Sequence, residues 1–138
     1  MQGTSGGRTK FLFVYGTLMR GESRAVTVGG GTYLRDGRVQ DLCLYDLGDY
    51  PGVYPTPGGQ VFGEIFVFED IALALSRPDV LEDVPSLFRR EVLPVRSGSN
   101  HLEAWIYVLQ KDPGGRFPLI SGGRWPAHRL SNTPENTS

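Results

Sequence analysis

The chain has 138 residues, enough for one ordinary domain and too few for a second core of useful size. Apolar residues make up 39% and charged residues 21%, which excludes the charge-rich composition of a disordered chain and predicts a packed core. Fourteen basic side chains against fifteen acidic ones leave a net charge of −1, too little to hold polyanionic nucleic acid or an anionic membrane, and no run approaches the roughly 18 apolar residues that span a bilayer.

A small-molecule ligand is therefore the expected partner, with the oligomeric state left open. The opening MQGTSGGRTK lacks the hydrophobic core of a signal peptide, so a cytoplasmic protein is expected. Cys43, the only cysteine, lies in an apolar run and reads as a small buried hydrophobe. His101 and His128 have no second histidine or cysteine at ligand spacing, so a zinc site is not expected. The polar, Gly/Ser/Thr-rich ends, 1–9 and 131–138, read as flexible tails around a domain over 10–130.

Phe11-Leu12-Phe13-Val14-Tyr15 is continuously apolar and stops at Gly16, as a strand buried on both faces does before a loop. The next stretch, 21–28, is short and closed by Gly29-Gly30-Gly31, leaving room for two helical turns at most. Residues 33–47 suit strands and carry a turn signal at Asp36-Gly37, predicting a strand pair or one bent strand. The Pro- and Gly-rich stretch 48–59 predicts a loop, over the surface or across a cavity.

The alternation over 61–69 gives a strand with Phe62, Phe66 and Phe68 on one face, and Asp70 is placed to cap the helix that follows. Helical spacing over 71–84 is interrupted at Pro78, which should start a second short helix containing Glu82. Two antiparallel strands over 88–95 and 102–109 are joined at Ser97-Gly98-Ser99-Asn100. The sum is an α+β fold: a small, mostly antiparallel β-barrel of about five or six strands with two or three short helices, lacking regular βαβ alternation.

Chemistry first becomes specific at Tyr15-Gly16-Thr17-Leu18. A glycine there lets backbone N–H groups turn toward a carboxylate or an oxyanion, although the same four residues suit an ordinary strand-to-helix turn. Glu82, beside Asp79 and Asp83, reads by pattern alone as one charge on a solvated helix face. Tyr15 and Tyr107 are either pocket hydroxyls or core residues with a satisfied hydroxyl. Arg89 and Arg90 are candidates to meet a substrate carboxylate, of which strand alternation turns only one inward.

Five separated motifs, in order across about 11–129, change that balance. These are Tyr15-Gly16-Thr17-Leu18; Leu44-Tyr45-Asp46-Leu47-Gly48 with Tyr50-Pro51-Gly52; Val61-Phe62-Gly63-Glu64; Asp79-Val80-Leu81-Glu82 with Phe88-Arg89-Arg90; and Trp105-Ile106-Tyr107-Val108 with Ile120-Ser121-Gly122-Gly123-Arg124-Trp125. Together they resemble the γ-glutamylcyclotransferase-like family. Departures from the family pattern at Asp83, Phe88 and Arg24 bear on substrate choice.

The resemblance implies a cofactor-independent reaction in which the free α-amine of a γ-glutamyl group attacks its own γ-carbonyl, forming 5-oxoproline and expelling an amine. It implies Glu82 as catalytic acid/base, with Tyr15, Gly16, Thr17, Leu18 and Tyr107 binding the γ-glutamyl substrate. An α-ammonium has a pKa of about 7.8 and an ordinary glutamate about 4.3, so proton transfer between them is uphill by about 4.8 kcal/mol. Glu82 is therefore expected in an apolar cavity that raises its pKa. The alternative is a non-catalytic domain that uses the same cavity to hold a metabolite or a partner; a nucleic-acid-binding barrel would need a basic aromatic surface.

Overall fold

A computed structural model describes residues 9–16, 19, 31–48, 50–71 and 87–125. The strands, in chain order, are β1 (Phe11–Val14), β2 (Thr32–Asp46), β3 (Pro51–Val67), β4 (Phe88–Ser97), β5 (Asn100–Leu109) and β6 (Leu119–Ile120). They form one sheet in the order β3-β1-β5-β4-β2-β6, and a further β3–β2 pairing closes the first five into a barrel. The α+β barrel expected from the sequence is thus the observed architecture, with β6 added outside β2. The backbone turns helical at Ile71, directly after Asp70, and again at Trp125. The expected helix at 21–28, that at 71–84 beyond Ile71, and the tails apart from Thr9 lie outside the described residues.

β1 is short because it is central. It pairs antiparallel with β3, from Phe11↔Val67 to Val14↔Glu64, and parallel with β5 at Leu12↔Trp105. Leu12, Phe13 and Val14 are all buried on both faces, as the unbroken apolar run requires. Each such side chain contributes about 1.5–3 kcal/mol by leaving water.

Of the two readings left open for 33–47, one bent strand is the observed one. Asp36-Gly37 is no turn but the middle of one long, bent β2, which pairs with β3 along most of its length. Gly37 is there for space: a Cβ would stand 2.8 Å from Val95 Cγ1 and 2.9 Å from Ile65 Cδ1, inside the barrel. The real β2–β3 connection is the tight turn after Asp46, where the Leu47 N–H donates to the Tyr50 carbonyl at 3.0 Å and the Gly48 N–H to Asp46 Oδ1 at 2.8 Å.

The stretch 48–59, expected as a loop, is mostly strand. Pro51 opens β3, where a missing N–H costs nothing, and Thr56, Pro57, Gly58 and Gly59 bulge out between the pairs Leu42↔Pro55 and Gln40↔Gln60. Asp41 faces that bulge with φ 65, its Oδ1 accepting the Gly58 N–H at 3.0 Å. Turn-forming residues here bend a ladder without ending it. The β4–β5 hairpin follows its expectation, with Gly98 at φ 62 in a two-residue turn.

Candidate active site

One end of the barrel gathers the exit of β1, the start of β3, the start of β4 and the end of β5. Tyr15 continues the buried line of β1 at 6% exposure, and its hydroxyl donates a buried 2.8 Å hydrogen bond to the Tyr107 main-chain carbonyl. This ties the first turn of the chain to β5, next to β1 in the sheet. The Tyr107 side chain is itself fully buried, so both tyrosines are core members.

Gly16 follows directly. A Cβ at this position would overlap Pro51 Cγ, and its carbonyl accepts the Met19 N–H at 3.0 Å. Pro51 therefore backs the glycine turn, and the residues on either side of it complete a shelf. The Tyr50 ring lies 6.3 Å from that of fully buried Phe88, and Gly52 packs on Leu109, whose Cδ1 would be 2.8 Å from an added Cβ. Phe88 and Leu109 are direct cross-strand partners. The Tyr50-Pro51-Gly52 stretch thus touches the glycine turn, β4 and β5 at once.

Of the site residues expected from the sequence, Tyr15, Gly16 and Tyr107 are brought to this end of the barrel. Thr17, Leu18 and Glu82 lie outside the described residues, as do Arg24, Asp79 and Asp83. Arg89 and Arg90 are both half-buried. Arg89 pairs through Nε with the Glu91 carboxylate and donates from Nη1 to the Leu109 carbonyl at 3.0 Å, while the Arg90 guanidinium lies 4.8 Å from the Trp105 ring centre. Arg89 is thus committed to neighbours within the β4–β5 pair.

Cys43 is half-buried, not enclosed, because its thiol lies beside Gly59 at the open bulge of β3. Among the described residues no group of three His, Cys, Asp or Glu side chains could hold a metal, and no helix is long and apolar enough to cross a membrane.

The family model for gamma-glutamyl cyclotransferase, AIG2-like proteins matches residues 12–127, spanning every described strand apart from the first residue of β1. The chain belongs to this family. A provisionally named gamma-glutamylcyclotransferase of Vibrio cholerae is 37% identical over 122 residues, covering 83% of this chain and 93% of that protein. The gamma-glutamylcyclotransferase family protein YtfP of Escherichia coli is 32% identical over 114 residues, covering 83% and 94%. The crystal structure of an AIG2-like protein from Mus musculus superposes with a TM-score of 0.70 at 24% identity, covering 93% of this chain and 92% of that one, a likeness of fold.

The sequence reading did not single out Arg38, Arg96 and Arg124. They are far apart in the chain, and barrel closure alone brings them to one cavity.

Proposed function

We propose that this chain is a cofactor-independent γ-glutamyl cyclotransferase acting on a small γ-glutamyl compound. The α-amine nitrogen of the γ-glutamyl group bonds to its own γ-carbonyl carbon, the bond from that carbon to the departing amine breaks, and 5-oxoproline and the free amine result. Nucleophile and electrophile belong to one molecule, so the protein's task is to hold the attack geometry, move a proton and stabilise the oxyanion.

In this reading Glu82 takes a proton from the attacking amine and returns one to the departing nitrogen. Backbone N–H groups over Gly16, Thr17 and Leu18 receive the oxyanion, and Tyr15 and Tyr107 shape the wall beside them. The observation that supports it best is the glycine turn: Gly16 is pressed against Pro51 immediately after Tyr15, whose hydroxyl is anchored on Tyr107. An oxyanion site needs donors fixed in advance, and this turn is fixed from two sides. A cytoplasmic setting goes with the reading, since a single unpaired cysteine suits a reducing compartment.

The test is product balance. Purified protein given a panel of γ-glutamyl amines and γ-glutamyl amino acids should release 5-oxoproline and the free amine in equal amounts. Binding of these compounds with no product from any of them would favour the non-catalytic alternative.

A further inference from the structure

A cavity of about 580 Å³ lies on β2 and β3 beside the β4–β5 turn, and Arg38, Arg96 and Arg124 line it. None of Tyr15, Gly16, Pro51 and Tyr107 belongs to its lining, so it is a place apart from the glycine turn. Its volume is within the range of pockets that take a small metabolite.

Folding alone does not favour these arginines. Arg38 and Arg96 are direct partners where β2 meets β4, and like charges directly opposite on neighbouring strands repel. Both are half-buried, which weakens the screening of that repulsion. Asp36 and Glu64 also line the cavity, yet among the described residues neither pairs with any of the three arginines, and Asp36, which is exposed, takes the Tyr33 hydroxyl on Oδ1 at 2.8 Å. A local conflict of this kind, kept in a well-packed barrel, marks a place selected for something other than stability.

The guanidinium groups are also held in position. Ser97 Oγ donates to the Asp36 carbonyl at 2.7 Å, clamping the β4–β5 turn to β2 beside the Arg38–Arg96 pair. Arg96 Nε donates to His101 Nε2 at 3.0 Å, which leaves its terminal nitrogens for another acceptor. Arg124 stacks 3.8 Å from the Phe62 ring centre, where the 2.9 Å bond from the Phe62 N–H to the Gly123 carbonyl keeps the two segments together. Stacking occupies the face of a guanidinium and leaves its N–H edge for an anion.

The number of arginines decides which anion. One guanidinium fork already satisfies a carboxylate, whereas a phosphate monoester brings three terminal oxygens and a charge of about −1.5 to −2 at pH 7. We propose that this cavity is a second ligand site, separate from the glycine turn, in which Arg38, Arg96 and Arg124 hold the phosphoryl group of a small phosphorylated metabolite. The site does not depend on the cyclotransferase reading.

Arg38→Gln is the informative variant, since among the described residues Arg38 makes no hydrogen bond or ion pair, and its removal relieves the repulsion with Arg96. Nuclear magnetic resonance titration of wild type with inorganic phosphate, at an ionic strength held constant with chloride, should perturb the side-chain Nε–H signals of Arg38, Arg96 and Arg124 with a Kd on the order of 1 mM. Arg38→Gln should weaken this binding at least about tenfold, and succinate should bind wild type at least about tenfold more weakly than phosphate. Arg124→Gln, at an exposed position, should weaken it by a smaller factor with Tm unchanged, which separates loss of the site from loss of the fold. No response at the three arginines, an equal response to succinate, or undiminished binding by Arg38→Gln would each overturn the site.

Two further arms fix the source of the anion and the separation from the chemistry. Glycerol phosphate should bind at least as tightly as inorganic phosphate; an ester that fails to bind would overturn the metabolite as ligand. Formation of 5-oxoproline from a γ-glutamyl amino acid should change by less than about twofold in Arg38→Gln, because the two sites share no residue. A variant that binds substrate poorly or turns it over slowly, while still folded, would overturn the claim of a separate site.

Discussion

The hydroxyl of Tyr15 and the main-chain carbonyl of Tyr107, separated by 92 residues, are joined by a buried hydrogen bond of 2.8 Å. It fixes the exit of β1 against β5 and holds the following glycine where Pro51 can back it. Tyr15→Phe keeps the ring and removes the donor, leaving a buried carbonyl short of a partner. The expected cost is about 1–3 kcal/mol in urea unfolding. A change under a few tenths of a kcal/mol would show that this bond does not hold the turn.

Gly16→Ala puts a methyl group onto Pro51 Cγ, so the turn must move or the proline must yield. The variant should lose stability by about 1–3 kcal/mol and lose turnover more than substrate affinity. Pro51→Ala, added to it, should restore part of both by opening the space. Simple additivity of the two changes in a double-mutant cycle would mean that the contact has no energetic consequence.

Gly37→Ala distinguishes packing from turn geometry. Inside the barrel the new methyl group meets Val95 and Ile65, and overpacking of this kind costs about 1–3 kcal/mol. Were Gly37 needed only as a flexible link, alanine would be tolerated within about 1 kcal/mol. Shortening both neighbours, in Gly37→Ala with Ile65→Val and Val95→Ala, should recover less than the first change loses, because two cavities are opened elsewhere.

How much of this was legible beforehand differed by element for physical reasons. β1, β4 and β5 could be read directly, since each is a run of apolar or β-branched residues ended by glycine or a two-residue turn, as at Gly16 and Gly98. The first half of β3 could not. Pro51, Pro55 and Pro57 signal an end of pairing, and nothing local reveals that β2 supplies Asp41 opposite a four-residue bulge. Asp36-Gly37 left a strand pair and one bent strand both open, and the bent strand is the observed one; what decides it is distant in the chain, since the glycine answers to Val95 and Ile65.

At the site, Tyr15 and Gly16 stood out as the end of a buried strand, and Tyr107 emerged from the family resemblance. The backing role of Pro51 and the meeting of Arg38 with Arg96 depend on long-range closure, to which periodicity is blind. Cys43 was expected inside the core from its apolar neighbours Leu42 and Leu44, yet strand alternation turns it away from them, toward the bulge.

The most direct measurement is the single-turnover rate of 5-oxoproline formation from a γ-glutamyl amino acid by wild type and by Glu82→Gln, an isosteric change that removes the proton acceptor. The account predicts a folded variant slowed by about 10²- to 10⁴-fold with substrate still bound. A Glu82→Gln protein that forms 5-oxoproline at the wild-type rate would contradict it.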